Sequence, residues 1–330
     1  MHVIPIVHCF DNNYVTPASV AFFSLLDKAD KNHYYKIYVL HDDISKGNQE
    51  KLSKLVSNFN NSEIIFIDCN GNSDFDKNWS NLKVKGHYSK AMFYKLNIAS
   101  VLKEHDKVII SDVDVVYLND ISKDFIDYLD NDNKNYISGT FSVEKISSFN
   151  NIYKEEFTDE EISKLKIGAG YFFMNTHLVR QDGLEKQFVD YLQKNSHRLK
   201  QAEQDTLNIC CYPNIGKIPL RNMVCNYIYD LYNINSITDE TNYTRQQIFD
   251  AYMNPVQLHY ASGVKPWNKL NSTKANLWLE VLLKTEFYND FFDTIEKQLR
   301  PEGVKNLMKF SIPISKNRHL ICNINKLKRI

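Results

Sequence analysis

Two carboxylates stand one residue apart inside an otherwise apolar stretch. Residues 107–118 read KVIISDVDVVYL, so Asp112 and Asp114 interrupt a run that would pass as a buried strand. Residues i and i+2 of a strand point the same way, which would bring the two acids to one side, within roughly 5–7 Å of each other. At about 5 Å and an effective dielectric near 20 their repulsion is about 3 kcal/mol. A shared proton, a basic side chain or a divalent cation can offset that cost, and capping of the next turn by backbone amides is the plainer alternative. Hard cations favour carboxylate oxygens. His259 ends the apolar run PVQLH and could add an imidazole. Two carboxylates and an imidazole make a mixed N/O donor set that suits Mn²⁺ better than Mg²⁺, although a histidine in such a place also serves as an ordinary core or loop residue. Lys265, between Gly263 and Pro266, could aim a point charge at phosphates held by such an ion.

The elements that must position these groups follow from periodicity. Strands are expected at 2–10, 35–42 and 62–69, and helices at 16–29 and 44–59. A helix over 89–105 should lead straight into the strand that carries the two acids, and a further helix is expected over 182–199. Alternating strand and helix predict an α/β fold, with a mostly parallel, doubly wound central sheet flanked by helices. Ligands of such sheets gather beyond the carboxyl ends of the strands. No Gly-rich dinucleotide fingerprint follows the first strand and no Walker lysine loop is present, so neither dinucleotide nor P-loop chemistry is indicated.

Charge and cysteine usage narrow the class. Forty basic residues balance forty acidic ones, which gives no global field for a nucleic acid partner. The balance hides a basic end: after Glu302 no acid occurs, while seven Lys and Arg alternate with apolar residues. That pattern suits a segment lying on an anionic membrane, or equally a solvated helix packed on the domain. The expected organisation is a nucleotide-sugar-sized domain over 1–270 and a helical, basic extension over 271–330, with peripheral membrane contact through 304–330. The six cysteines form no C-x-x-C pair and read as reduced thiols of a cytoplasmic protein. No apolar run is long enough to span a bilayer.

Five islands, in order, carry a resemblance: FDNNY (10–14), FYKLNIASVL (93–102), DKVIISDVDVVYL (106–118), GAGYFFMNTHLVR (168–180) with EQDTLN (203–208), and HYASGVKPW (259–267). Together they resemble glycosyltransferase family 8, which includes bacterial lipopolysaccharide α-galactosyl- and α-glucosyltransferases. The resemblance implies a GT-A fold and retaining, metal-dependent transfer of a hexose from a UDP-sugar to an oligosaccharide or glycolipid acceptor. It implies Mn²⁺, with Mg²⁺ as the alternative, held by Asp112, Asp114 and His259. It places Lys265 on the diphosphate, and Cys9, Asp11, Asn13 and Tyr14 in the loop that reads uracil and ribose. Val113 falls within the nucleotide-binding D-x-D, and Lys95 falls near the donor sugar, where the family usually has arginine. Glu203 and Gln204 match the pair facing the donor sugar and its anomeric carbon. Gln204, an amide, is a poor nucleophile, which favours front-face attack over a covalent intermediate. The chain departs from the family pattern at Gly168, Glu203 and Ser262, where asparagine, aspartate and glycine are commoner, and this leaves the choice of sugar open. Two other functions fit the same residues: a non-catalytic UDP-sugar or carbohydrate-binding protein, and metal-dependent phosphoryl or nucleotidyl transfer.

Overall fold

The computed structural model describes residues 1–70, 89–143, 151–231, 242–261 and 263–299. Its centre is a seven-stranded sheet in the order β3-β2-β1-β4-β7-β6-β8. These strands are β1 Val3–Cys9, β2 Tyr34–His41, β3 Ser62–Asp68, β4 Val108–Ser111, β6 Ile137–Phe141, β7 Ile167–Met174 and β8 Ile215–Lys217. β1 pairs in parallel with β2 and β4, β2 with β3, and β6 with β8, whereas β7 runs antiparallel to both β4 and β6. The sheet is therefore mostly parallel, as expected, with one reversed strand that periodicity alone does not reveal.

Burial on both faces explains the near-continuous apolar runs of the central strands. Side chains of β4 alternate: Ile109 packs with Phe22 and Tyr171 under the helix Val15–Lys28, while Val108 and Ile110 pack with Phe172 and Phe188 on the opposite face. Helices Leu184–Asn195 and Ala202–Cys211 lie on that opposite face. Helices Ala275–Leu282 and Phe287–Leu299 contribute Trp278, Leu282, Phe287 and Phe291 to the core beside Phe22. Residues 300–330, including the basic segment proposed for membrane contact, lie outside the described residues. Among the described residues no helix is long and apolar enough to cross a membrane.

Two expectations about local structure are corrected. The stretch 107–118 is not one strand. It breaks after Ser111, and its second half, β5 Val115–Tyr117, joins a separate three-stranded sheet in the order β5-β10-β9. In that sheet β10 Gln257–His259 runs antiparallel to β5 and parallel to β9 Val224–Cys225. Asp112 and Asp114 thus sit in the bend between two sheets. The expected helix over 89–105 is a 3-10 helix, Lys90–Asn97, followed by one α-turn, Ile98–Val101. Burial runs almost without a break through Ala91, Phe93, Tyr94, Lys95 and Leu96, so the segment has no solvent-facing side of the kind a single amphipathic stripe would leave.

Candidate functional site

The break after Ser111 builds the site, because it holds the backbone of each acid from outside the turn. The Asp112 amide donates to the Gly170 carbonyl of β7 at 2.9 Å, and the Tyr260 amide donates to the Asp114 carbonyl at 2.9 Å. His259 lies opposite Val115 in the small sheet, so the strand after the bend and the strand that ends at the imidazole are in fixed register.

Each carboxylate uses its two oxygens differently. Lys95 donates from Nζ to Asp112 Oδ1 at 2.5 Å, and Lys265 donates to Asp114 Oδ2. The remaining oxygens face one nitrogen: His259 Nε2 is 3.6 Å from Asp112 Oδ2 and 3.1 Å from Asp114 Oδ1. The three donor groups lie within 4.8 Å of one another. Two carboxylates and one imidazole converging in this way fit a divalent cation by donor chemistry. The surroundings fit as well. Residue 170 is a glycine, and a methyl there would overlap the edge of the His259 ring. Only glycine leaves the imidazole its present place.

Charge inside the site is balanced. Burial raises the Asp114 pKa, but His259 and Lys265 outweigh it and hold the carboxyl well below the usual carboxylate range. Burial lowers the basicity of His259, and Asp114 overrides it, so the imidazole rises to about 10. Lys95 is 1% exposed. Burial disfavours its charge, yet Asp112 and Glu203 keep the ammonium protonated to well above its ordinary range. Glu203, 3.9 Å from Lys95, is pushed up by burial, with Lys95 pulling the other way.

A cavity of about 410 Å³ opens over the turn; it is lined by Tyr14, Asp112, Asp114, Glu203, Gln204, His259 and Lys265 among others. Lys95 also donates to the Ala169 carbonyl at 3.0 Å, directly beneath. Glu203 and Gln204 occupy the first turn of the helix Ala202–Cys211. That turn is fixed by Asp205, whose carboxylate accepts from the amides of Lys200 and Gln201 and from the Tyr153 hydroxyl. The same helix docks on β7 through two amide side chains one turn apart. Gln204 Oε1 accepts from the Ala169 amide at 2.9 Å, and Asn208 bonds both backbone groups of Ile167. A carbonyl oxygen has two lone pairs, so Gln204 keeps one acceptor position beyond this bond.

Other residues singled out in the sequence sit elsewhere. Cys9 is in the core at the end of β1, where burial pushes its thiol up and leaves it inert. Val113 packs in the core with Tyr171, so its backbone is the part nearest the site. Asp11 caps the 3-10 turn Asn12–Tyr14 by accepting from the Asn13 amide, and neither Asp11 nor Asn13 lines the cavity. Tyr14, raised to about 12 by burial and the nearby acids, does line it, edge-on to Trp267. Met223 went unnoticed in the sequence. Its side chain lies over Gly168 and Gly170 and forms part of an apolar wall with Phe141, Leu220 and Ile228. A lone methionine in an apolar stretch carries no signal that would have singled it out.

The sequence profile of glycosyl transferase family 8 matches residues 5–271. The chain belongs to that family. General stress protein A of Bacillus subtilis (strain 168) is 24% identical over 270 residues, which cover 81% of this chain and 88% of that protein. Among solved structures, the galactosyltransferase LgtC in complex with donor and acceptor sugar analogs is similar with a TM-score of 0.67 at 18% identity, over 86% of this chain and 96% of that one. The apo bifunctional glycosyltransferase WbbM is similar with a TM-score of 0.68 at 20% identity. The match spans 88% of this chain and about half, 51%, of WbbM. These likenesses show a GT-A fold. As a family 8 member the chain is a glycosyltransferase that uses a nucleotide-sugar donor and a saccharide acceptor.

Proposed function

We propose that this family 8 glycosyltransferase moves a hexose from UDP-glucose or UDP-galactose to an oligosaccharide or glycolipid acceptor of a surface glycan such as lipopolysaccharide, with retention at the anomeric carbon. The observation that carries the reading is the division of labour at the turn: one oxygen of each aspartate on a lysine, the other facing His259. Asp112, Asp114 and His259 would hold the ion, Mn²⁺ or alternatively Mg²⁺. When bound, such an ion neutralises charge that builds on a departing diphosphate.

The chain's own groups supply the rest. Lys265 can turn from Asp114 to the diphosphate and add a second positive partner. Lys95, already committed to Asp112, keeps that carboxylate ionised. Gln204 offers its remaining lone pair toward the anomeric centre as an electrostatic stabiliser, and Glu203 orients sugar hydroxyls. An amide in that place favours front-face attack over a covalent adduct. The basic, apolar-interleaved residues 304–330 would bring the enzyme to an anionic membrane that carries the acceptor.

A panel of UDP-sugars assayed for UDP release with and without Mn²⁺ tests the proposal. Mn²⁺-stimulated release from one hexose donor is expected. Cleavage within the diphosphate, or binding without release, would replace it.

A further inference from the structure

A serine hydroxyl can donate one hydrogen bond and accept two. Ser111, the last residue of β4, does all three in a dry interior. Its Oγ–H donates to the Asp112 carbonyl at 2.9 Å, and it accepts from the Tyr117 hydroxyl at 2.7 Å and from Gln257 Nε2 at 2.9 Å. Its own carbonyl accepts from His8 Nδ1 at 2.8 Å, which fixes that ring as the Nδ1–H tautomer. None of Ser111, His8, Gln257 and Tyr117 is more than 1% exposed.

The partners come from both sheets. His8 and Ser111 belong to the large sheet, while Tyr117 and Gln257 face each other across the small one. Two residues from that pair, in the same two strands, His259 faces Val115. The donor groups of the candidate metal site are split the same way: Asp112 directly follows the large sheet's Ser111, and His259 ends a strand of the small sheet. Any slip of one sheet over the other would change the 3.6 Å separation of His259 Nε2 from Asp112 Oδ2. Gln257 carries a further sign of purpose. Its Oε1 is buried without a partner, a cost that a hydrocarbon side chain of similar size would avoid.

We propose that Ser111, clasped by Tyr117 and Gln257, is a positioning residue that sets the register of the small sheet on the large one and so spaces the three metal donors. The inference rests on the metal reading given under Proposed function. The test is Mn²⁺ binding to the full chain, followed by electron paramagnetic resonance well below each variant's unfolding temperature. The variants are Ser111→Ala, Tyr117→Phe and Gln257→Leu, with Thr176→Val as a control. Thr176 is equally buried and donates to the His105 carbonyl beside the start of β4, away from the site. Loss of an outer partner of a metal ligand weakens binding on the order of 10- to 100-fold, and this range is expected for Ser111→Ala, with smaller losses for the other two clasp variants. Thr176→Val should lose stability and keep its Mn²⁺ affinity. Tyr117→Phe removes a single oxygen and decides the matter if Ser111→Ala does not fold. Folded clasp variants that bind Mn²⁺ as the wild type does overturn the proposal, and so does an equal loss in the control. A wild-type chain that binds no Mn²⁺ overturns the metal reading itself, and the clasp's role with it.

Discussion

The two sides of the Asp112-Val113-Asp114 turn are built on different terms. The Asp112 side belongs to the large sheet. Its lysine, Lys95, is 1% exposed and is also tied to a backbone carbonyl and faced by Glu203. The Asp114 side belongs to the small sheet. Its lysine, Lys265, comes from the loop after β10, and its other bond is to the Tyr260 carbonyl five residues away. One cation is locked by burial among carboxylates that need it. The other stands at the cavity wall beside a carboxylate that would still be paired, with His259, if it left. The same ion-pair chemistry therefore serves two purposes: preorganisation on the first side and an exchangeable charge on the second.

The harshest test removes the acid on the exchangeable side. Asp114→Asn keeps the volume but takes away a ligand charge, and transfer is expected to fall roughly a thousandfold or more, as for other lost electrostatic contacts to developing charge. Turnover with saturating Mn²⁺ and circular dichroism check this, and near-normal activity of a folded variant would refute the role. The two lysines should then separate. Lys95→Met leaves Asp112 and Glu203 facing each other without their cation, and stability should drop by about 3 kcal/mol. Denaturant unfolding measures that drop, which should shrink below neutral pH as Glu203, already pushed up by burial, takes a proton. Lys265→Met should cost about 1 kcal/mol of stability or less, yet raise KM for the UDP-sugar roughly 10- to 100-fold through one lost charge-assisted contact. Equal stability losses in the two variants would erase the distinction between the sides.

Acid titration sharpens the rigid side. Burial lowers His8 to about 4, with the Ser111 carbonyl and Asp112 pulling weakly the other way. Its folded value lies below the unfolded one of 6.5, so between the two the unfolded chain binds more protons and stability falls as pH falls. The loss is confined to the window from about pH 6.5 to about 4 and amounts to about 3 kcal/mol when complete. In His8→Gln that part of the pH profile should flatten, as read by urea unfolding at several pH values. A wild-type profile already flat across this window would mean that water reaches the ring.

Much of this was legible in the sequence, and the reasons it was legible also mark where it stopped. The strands β1 to β3 and their helices announce themselves because a sheet covered on both faces needs unbroken apolar runs. Asp112, Asp114 and His259 stood out because polar groups at the ends of such runs have few bland uses. The break of 107–118 into two sheets was hidden, since β4 and β5 are both apolar and the bend carries no glycine or proline. Reversal of β7 was hidden too, because direction follows from pairing and leaves no trace in composition. Ser111 was passed over as a neutral spacer among valines and isoleucines. Its importance comes from Tyr117 and Gln257, and Gln257 is 146 residues away.

The finest test compares two glycines on one strand. Gly168 and Gly170 flank Ala169 in β7, both under Met223, and their side-chain positions point to the same face. A methyl at 170 would overlap the His259 ring, whose Nδ1 would lie 2.7 Å away. That ring is pinned by the register of β10 and by Asp114, so it cannot yield without changing the donor geometry. Overpacking of about 1–3 kcal/mol would then appear as metal affinity lost on the order of 5- to 100-fold in Gly170→Ala. A methyl at 168 would meet the terminal carbon of Met223 instead. A thioether with three rotatable bonds moves aside cheaply, so Gly168→Ala should keep Mn²⁺ affinity within about twofold and alter, at most, which donor sugar is preferred. If the two variants lose metal affinity equally, the imidazole is not the immovable neighbour, and the Asp114 side is looser than its hydrogen bonds suggest.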